Sequence, residues 1–370
     1  MTVSSAPAVS AGCVSAWRAD RGDAGGRLDH ALVRHFAGLP GISRSQVQAW
    51  IGAGRVRIAG AVVTRPAARL ALGDELRVEL PAPPPRRARP LAAQRLPLAI
   101  LYEDEHLLAI DKPAGQVVHP TGRYREGTLA NALAWYLGPS AAAAEPAGAA
   151  APAGAAGAGP GLVHRLDRGT SGVLLVAKSR AAHAGLARSI KNRALEKDYL
   201  AVVYGRAPLP KGRIELKLRR DPDHGSRVIA SRAEGRTAVT LYELLAEAHP
   251  GGSGTWLSLL RCRLVTGRTH QIRAHLAALG LPVVGDPLYG EPRHRGIADP
   301  ALAALCRAFP RQALHARRLA LRHPVTGRQL DLLAPLPADL RQLLAAAGLS
   351  LAAEQRLLGV LRRQGNDGVR

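Results

Sequence analysis

The sequence is poor in three things: cysteine, negative charge and uninterrupted apolar runs. Its three cysteines, Cys13, Cys262 and Cys306, lie far apart and form no CxxC pair. A disulfide framework and a cysteine-ligated zinc site are therefore not indicated, and a reducing compartment fits. Its 28 Asp plus Glu face 51 Lys plus Arg, a formal net charge of +23. A GC-rich coding bias would explain arginine in place of lysine but not the shortage of acids. So much like charge repels itself unless a polyanion offsets it, and nucleic acid is the expected partner ahead of a membrane surface. The stretch MTVSSAPAVSAGCVSAWRAD has no basic start followed by a continuous apolar core, and Ala-rich 139–160 is broken by Glu145 and by several Pro and Gly. Neither a signal peptide nor a membrane span is expected, and the reading is of a soluble, cytoplasmic protein.

Familiar chemical devices are missing as well. There is no GxxxxGK[ST] loop for nucleoside triphosphates, no GxGxxG opening a helix after a strand, and no GxSxG elbow. A reaction at a carboxylate without a cofactor remains.

A chain of 370 residues is expected to form two or three domains. Residues 1–24 are small and unpatterned and read as a mobile tail. From Arg27, Leu28, Leu32, Val33 and Phe36 recur at helical spacing, and Ser43 is placed to cap a second helix carrying Val47, Trp50 and Ile51. RVRIAGAVV and GDELRVELP read as short strands, completing a small module over 25–82. PAPPPRRARP, 81–90, reads as stiff and extended and opens the linker taken over 83–97, because successive prolines fix φ and remove donors. The larger module, 98–348, opens with the strand-rich LAILYEDEHLLAIDKPAGQVVHP, and TLANALAWYL reads as a helix. Residues 139–160 have too few large apolar groups to bury anything and read as a disordered insertion. LVHRL and GVLLVAK read as strands flanking the loop DRGTSG. Ser179 caps a helix with Ala182, Leu186 and Ile190 on one face, and DYLAVVYG is another strand. LLRCRLV alternates Leu260, Cys262 and Leu264 with Arg261 and Arg263, as a strand with one buried face would. In TGRTHQIRAHLAALG, Thr269 reads as the N-cap and Gly280 as the stop. Arg273 then falls early in that helix, where a cation opposes the dipole, so a carboxylate or phosphate partner is expected. Residues 349–370 read as a basic tail.

Asp167 carries the candidate chemistry. An Asp followed by Gly and Thr is most often a turn former bonding nearby amides. Here, however, Arg165 and Arg168 flank it, and Ser171 and Gly172 let a backbone or ligand approach closely. A neighbouring guanidinium favours the ionised carboxylate, which can then serve as nucleophile or base. A metal site built from His164, Asp167, His270 and His275 is weaker: residues five apart sit about 140° apart round a helix, and nearby arginines repel a cation. The histidines read instead as core or hydrogen-bonding groups.

VHRLDRGTSG, KDYLAVV, TGRTHQIRAH and VVGDPLYG, in that order, resemble the successive motifs of the RluA/RluD-type pseudouridine synthases, and 27–80 resembles the S4-like RNA-binding module often attached to them. The resemblance implies an α+β fold: a small S4-like module plus a catalytic domain on a mixed, mainly antiparallel sheet with flanking helices. It implies no cofactor and no metal, an RNA partner, and a monomer that does not bind membranes. VVHP and GDPLYG look closest to the RluD subgroup, which implies uridines of large-subunit ribosomal RNA. Residue by residue, it implies that Asp167 is the catalytic aspartate, leaving base C6 and sugar C1′ both open as the point of attack. Tyr199 corresponds to the active-site tyrosine that stacks on the base and helps remove the C5 proton, Arg273 to the arginine that pairs with the aspartate, and Arg165 to the arginine that fills the gap left by a flipped-out nucleotide. Arg27, Arg34, Arg44, Arg55 and Arg57 of the small module, and Arg268, are candidates for phosphate contacts. Two other classes compete: a non-catalytic RNA-binding or ribosome-assembly factor of the same fold, against which intact Asp167, Tyr199 and Arg273 speak, and a hydrolase using Asp167 on another nucleotide bond.

Overall fold

A computed structural model of the chain describes residues 14–36, 42–80, 91–138, 161–222, 224–252, 254–290, 293–356 and 358–359. The chain divides into two units, Met1–Arg87 and Ala88–Arg370.

In the first unit, strands β1 (Val14–Arg18), β2 (Val56–Ile58), β3 (Ala61–Val62) and β4 (Glu75–Glu79) form an antiparallel sheet in the order β1-β4-β2-β3. Helices α1 (Leu28–His35) and α2 (Arg44–Gly52) close Leu28, Leu32, Phe36, Val47 and Ile51 over Val56, Leu76 and Val78. Ser43 caps α2 as its sequence promises, in a reciprocal box with Gln46. The expectation of a tail over 1–24 is corrected from residue 14 onward. VSAWR pairs with β4 along the edge of the sheet, Trp17 stacks on His35 with ring centroids 3.8 Å apart, and Ala19 and Asp23 are buried. An edge strand has one wet margin, so its alternation is faint in sequence. Residues 1–13 lie outside those described.

The second unit is built on ten strands. In chain order they are β5 (Ile100–Glu103), β6 (Leu107–Lys112), β7 (Ser171–Ala177), β8 (Glu196–Tyr204), β9 (Lys211–Arg220), β10 (Val228–Ser231), β11 (Arg236–Ala248), β12 (Leu257–Leu264), β13 (Leu314–Arg322) and β14 (Gln329–Leu333). They follow the order β10-β9-β11-β12-β8-β13-β7-β6-β5, with β14 on β13, and every pairing is antiparallel except β13 with β7. That parallel seam is short, His315 opposite Ser171 and Ala316 opposite Gly172. Gly172 is what allows it: φ is +113°, and a Cβ there would lie 2.2 Å from the Ala316 carbonyl oxygen.

The run SGVLLVA shows no polar alternation because both faces of β7 are buried. Leu174 and Val176 join Leu129 and Leu133 of α3 (Leu129–Leu137) on one face. Val173 and Leu175 join Ala182 and Leu186 of α4 (Arg180–Lys191) on the other. Each such leucine contributes about 2 kcal/mol of burial. Three further helices, α5 (Gln271–Ala278), α6 (Pro300–Ala308) and α7 (Ala338–Ala346), complete the α+β unit.

Several expectations change here. LVHRL is extended but joins the sheet only through an isolated bridge from Leu162 to Val176. Part of the expected linker is tied down: Asn131 donates to the Ala92 carbonyl, and Gln94 bonds Asn131 and Gly127. The expected tail begins inside packed structure, with Leu349 buried and Glu354 accepting from Arg317 at 2.6 Å. Arg261 and Arg263 of β12 do not face open water. Together with Arg318 they surround buried Asp198 at 2.9–3.2 Å, and although burial opposes it, Arg263 and Arg261 hold its carboxyl below the usual range. The insertion 139–160 and residues 360–370 lie outside those described.

Candidate active site

Asp167 sits in the loop that leads into β7. The main chain closes the turn, Thr170 N–H donating to the Asp167 carbonyl at 3.0 Å, so the carboxylate is not consumed by turn amides. It receives a hydrogen bond from Arg273 instead, Nη1 to Oδ2 at 3.0 Å, and remains 17% exposed at its side chain. Oδ1 accepts nothing from the described residues and keeps its lone pairs free.

Arg273 lies in the first turn of α5, where its charge opposes the helix dipole. The expected anionic partner is present twice. Besides Asp167, Asp286 takes the guanidinium in a two-pronged pair, from Nε at 2.6 Å and from Nη2 at 2.8 Å, and the Asp286 side chain is inaccessible to solvent. The two carboxylates more than offset burial, and Arg273 is held firmly charged. Asp286 also accepts from the N–H groups of Leu288 and Tyr289. The Asp of GDPLYG is thus a turn former and the anchor of Arg273 at once. Its sequence signal is that of a turn, which is why it escapes a reading of the sequence.

The N-cap of α5 is not Thr269, which is exposed, but His270, in the left-handed region at φ 53° and ψ 19°. The loop before it is held by Gln271, whose Oε1 accepts from Thr266 Oγ1 and Arg268 N–H. Gly280 does stop the helix, at φ +78°. His270 Nε2 stands 3.9 Å from Asp167 Oδ2, and its Nδ1 is 3.2 Å from the Tyr289 hydroxyl.

Tyr199 stands on β8 opposite Ala316, beside the seam that Gly172 permits. Alternation along β8 separates it from Asp198 and its arginines. Tyr199 is 7% exposed, and burial first, then the Asp167 charge, pushes its phenol up. Its hydroxyl therefore stays protonated at neutral pH.

Lys112, read from sequence only as the end of a strand, is fully buried and donates to the carbonyls of Pro113, Gln116 and Arg168 at 2.7, 2.9 and 3.3 Å. Three acceptors match the three N–H bonds of an ammonium. Burial pulls its pKa down to about 7 against the upward pull of Asp167. By these bonds it ties the turn after β6 to the residue following Asp167.

The flanking arginines behave differently from expectation. Arg168 turns away, onto the Gly115 carbonyl and the Tyr124 hydroxyl. Arg165 is exposed and makes no ion pair with the described residues, though its charge helps depress the pKa of His119 and His270, behind the effect of burial. Arg268 is likewise exposed. His164 accepts the Leu175 N–H at Nε2, and burial pushes it down to about 3. His275 is buried in α5.

In the first unit, Arg27 and Arg44 both bind Asp29, at 2.9–3.2 Å, as does Gln48. Arg34 binds Asp20 and Asp23. Those charges are partly spent within the protein. Among the described residues, Arg57 reaches only the Gly60 carbonyl, and Arg55 makes no ion pair. No helix of the described residues is long and apolar enough to cross a membrane.

Comparison with known proteins bears on this geometry. Residues 106–278 match the family described as RNA pseudouridylate synthase, and residues 27–76 match the S4 domain. Over 327 residues the chain is 41% identical to the Xanthomonas campestris pv. campestris protein named ribosomal large subunit pseudouridine synthase D, spanning 87% of this chain and 89% of that one. The Zymomonas mobilis subsp. mobilis protein of the same name is 39% identical over 321 residues, 86% of this chain and 93% of that one. Among solved structures, human RNA pseudouridylate synthase domain containing 1 aligns with a TM-score of 0.47 at 25% identity, over 70% of this chain and 97% of that chain.

Proposed function

The chain belongs to the RNA pseudouridylate synthase family, and from that membership we propose that it converts uridine to pseudouridine in large-subunit ribosomal RNA, with Asp167 as the attacking carboxylate. The observation that carries this reading is the convergence of three distant motifs: Asp167 bonded to Arg273 at 3.0 Å, with Tyr199 opposite Ala316, the residue that pairs with Gly172 on the strand the Asp167 loop leads into.

The reaction breaks the N1–C1′ bond, turns the uracil and joins C5 to C1′, with N1 gaining a proton and C5 losing one. Nothing is released and no oxidant is needed. A uridine stacked in RNA cannot offer both C1′ and C5 to one carboxylate, so it must be extruded, at about a few kcal/mol of unstacking. Exposed Arg165 fills the vacated position. Arg273 holds Oδ2, and Oδ1 attacks. Tyr199 acts as a stacking surface and hydrogen-bond donor. Its raised pKa disfavours a phenolate base, so it helps remove the C5 proton only as a relay, taking that proton while its own hydroxyl proton passes to the Asp167 carboxylate. The S4 domain, 27–76, adds phosphate contacts, with Arg55 and Arg57 carrying more of that work than Arg27 and Arg44. We take the protein to act as a monomer in the cytoplasm, where ribosomal RNA is found.

The test is a pseudouridine map of ribosomal RNA from cells lacking this protein. Loss of one or more large-subunit sites, restored by the wild-type chain and not by Asp167→Asn, is expected. A complete set of sites in the deletion strain would overturn the assignment.

A further inference from the structure

His270 adopts a backbone conformation that a non-glycine residue rarely takes (φ 53°, ψ 19°), and it makes no side-chain cap bond to α5 in return. A residue kept in such a conformation next to a reacting group points to a function for its side chain. The imidazole turns into the site. It meets the Tyr289 ring edge-on at 90° with centroids 5.8 Å apart, and Nδ1 lies 3.2 Å from the Tyr289 hydroxyl. Tyr289 is itself fixed: its oxygen accepts the Val228 N–H at 2.8 Å, and its ring carries the Arg273 guanidinium at 5.1 Å and that of Arg227 at 5.5 Å.

The Nε2–H tautomer satisfies all of these contacts. With one lone pair of the Tyr289 oxygen engaged by Val228, its hydroxyl proton is placed to go to Nδ1, so the neutral imidazole carries its hydrogen on Nε2. That nitrogen faces Asp167 Oδ2 at 3.9 Å, about 1 Å beyond hydrogen-bond length. A small displacement of the aspartate loop when RNA enters would close the gap.

We infer that His270 is a positioning residue for Asp167: its Nε2–H and Arg273 Nη1 together hold Oδ2, which fixes the rotation of the carboxylate and presents Oδ1 to the nucleoside. This rests on Asp167 being the attacking group. Burial together with Arg273 and Arg165 keeps the imidazole neutral against the pull of Asp167 and Asp286, so His270 holds the carboxylate without neutralising it.

The experiment uses the full chain and a uridine-containing large-subunit RNA fragment in excess, with initial rates measured over a range of RNA concentrations. His270→Gly suits the left-handed backbone and removes only the ring. The expected result is a fall of about 30- to 100-fold in kcat with KM within about threefold, comparable to loss of one oriented hydrogen bond at a reacting centre. His270→Gln restores an N–H near Nε2 and is expected to recover at least tenfold over the glycine variant. Tyr289→Phe, which leaves the His270 backbone alone, is expected to lower kcat in the same direction. A His270→Gly enzyme with kcat within twofold of wild type overturns the inference, as does a glutamine variant no faster than the glycine one. If the glycine variant does not fold, an unchanged kcat in Tyr289→Phe overturns it. The underlying reading is judged separately, because it fails if Asp167→Asn still forms pseudouridine, whatever His270 does.

Discussion

Replacing Asp286 by asparagine removes one charge and almost no volume, which makes it a sharp test of how Arg273 is held. Asp286 accepts four hydrogen bonds: from Arg273 Nε and Nη2 and from the N–H groups of Leu288 and Tyr289. Nη2 and both backbone groups share Oδ1, so the asparagine oxygen goes there and its NH2 must face the Arg273 Nε–H, donor against donor. The alternative rotamer loses three bonds instead of one. One bond to a charged, buried group is worth about 1.5–3 kcal/mol, and Arg273 is left with Asp167 as its remaining carboxylate. The predicted cost is therefore about 2–3 kcal/mol, a fall in Tm of about 4–6 °C for a unit of this size. Where the lost alignment is felt in the transition state, kcat/KM falls about 30- to 150-fold. Thermal unfolding and single-turnover pseudouridine formation measure the two effects on one preparation. A variant with wild-type Tm and kcat/KM within threefold would show that Arg273 needs no second anchor, and the reasoning would be wrong.

Other predictions follow from the same structure. Gly172→Ala forces a Cβ into the Ala316 carbonyl at 2.2 Å with φ at +113°, and should destabilise the second unit by about 3 kcal/mol or more; a melt within 2 °C of wild type would contradict the close seam. Asp29, inaccessible and held far below the usual carboxylate range by Arg27, with Gln48 and Arg44 adding to it, contributes stability that is complete above about pH 4 and is lost as pH falls through its lower folded value. Asp29→Asn should cost the first unit about 2–3 kcal/mol at pH 7 and flatten the acid limb of its unfolding curve; an unaltered acid limb would be evidence against the clamp. Deleting residues 1–87 should weaken RNA binding and flatten its salt dependence more than it slows the chemical step, and equal affinity at every salt concentration would remove the S4 domain from targeting.

Much of the fold is legible in the chain because its signals are local. Ser43 and Ser179 cap the helices that their sequence positions predict, and Gly280 ends α5. The Arg273 reading succeeds for a physical reason: a cation at the start of a helix is unfavourable alone, so it announces a partner. What the chain conceals is whatever depends on contacts between distant residues. LVHRL has strand composition, but its His164 is taken up by the Leu175 N–H, and it runs into the turn, closed by Thr170 N–H on the Asp167 carbonyl, that presents Asp167. Lys112 looks like a polar exit to solvent, yet three carbonyls from two loops enclose it. Asp286 carries an ordinary turn signature, and nothing local distinguishes it from the many that hold no arginine. VSAWR is too short and too exposed to register as a strand until β4 is there to pair with it. Arg27 and Arg44 read as free cations because their partner, Asp29, is a lone acid whose burial only the fold reveals.

The account as a whole depends on the carboxylate at 167. Asp167→Asn keeps the shape of the side chain and an oxygen for Arg273 but abolishes the nucleophile, so the decisive measurement is pseudouridine formation by this variant on a large-subunit RNA fragment, with RNA affinity measured in parallel. The expected outcome is no detectable product at affinity within a few fold of wild type. Product formed at a rate within tenfold of wild type would contradict it.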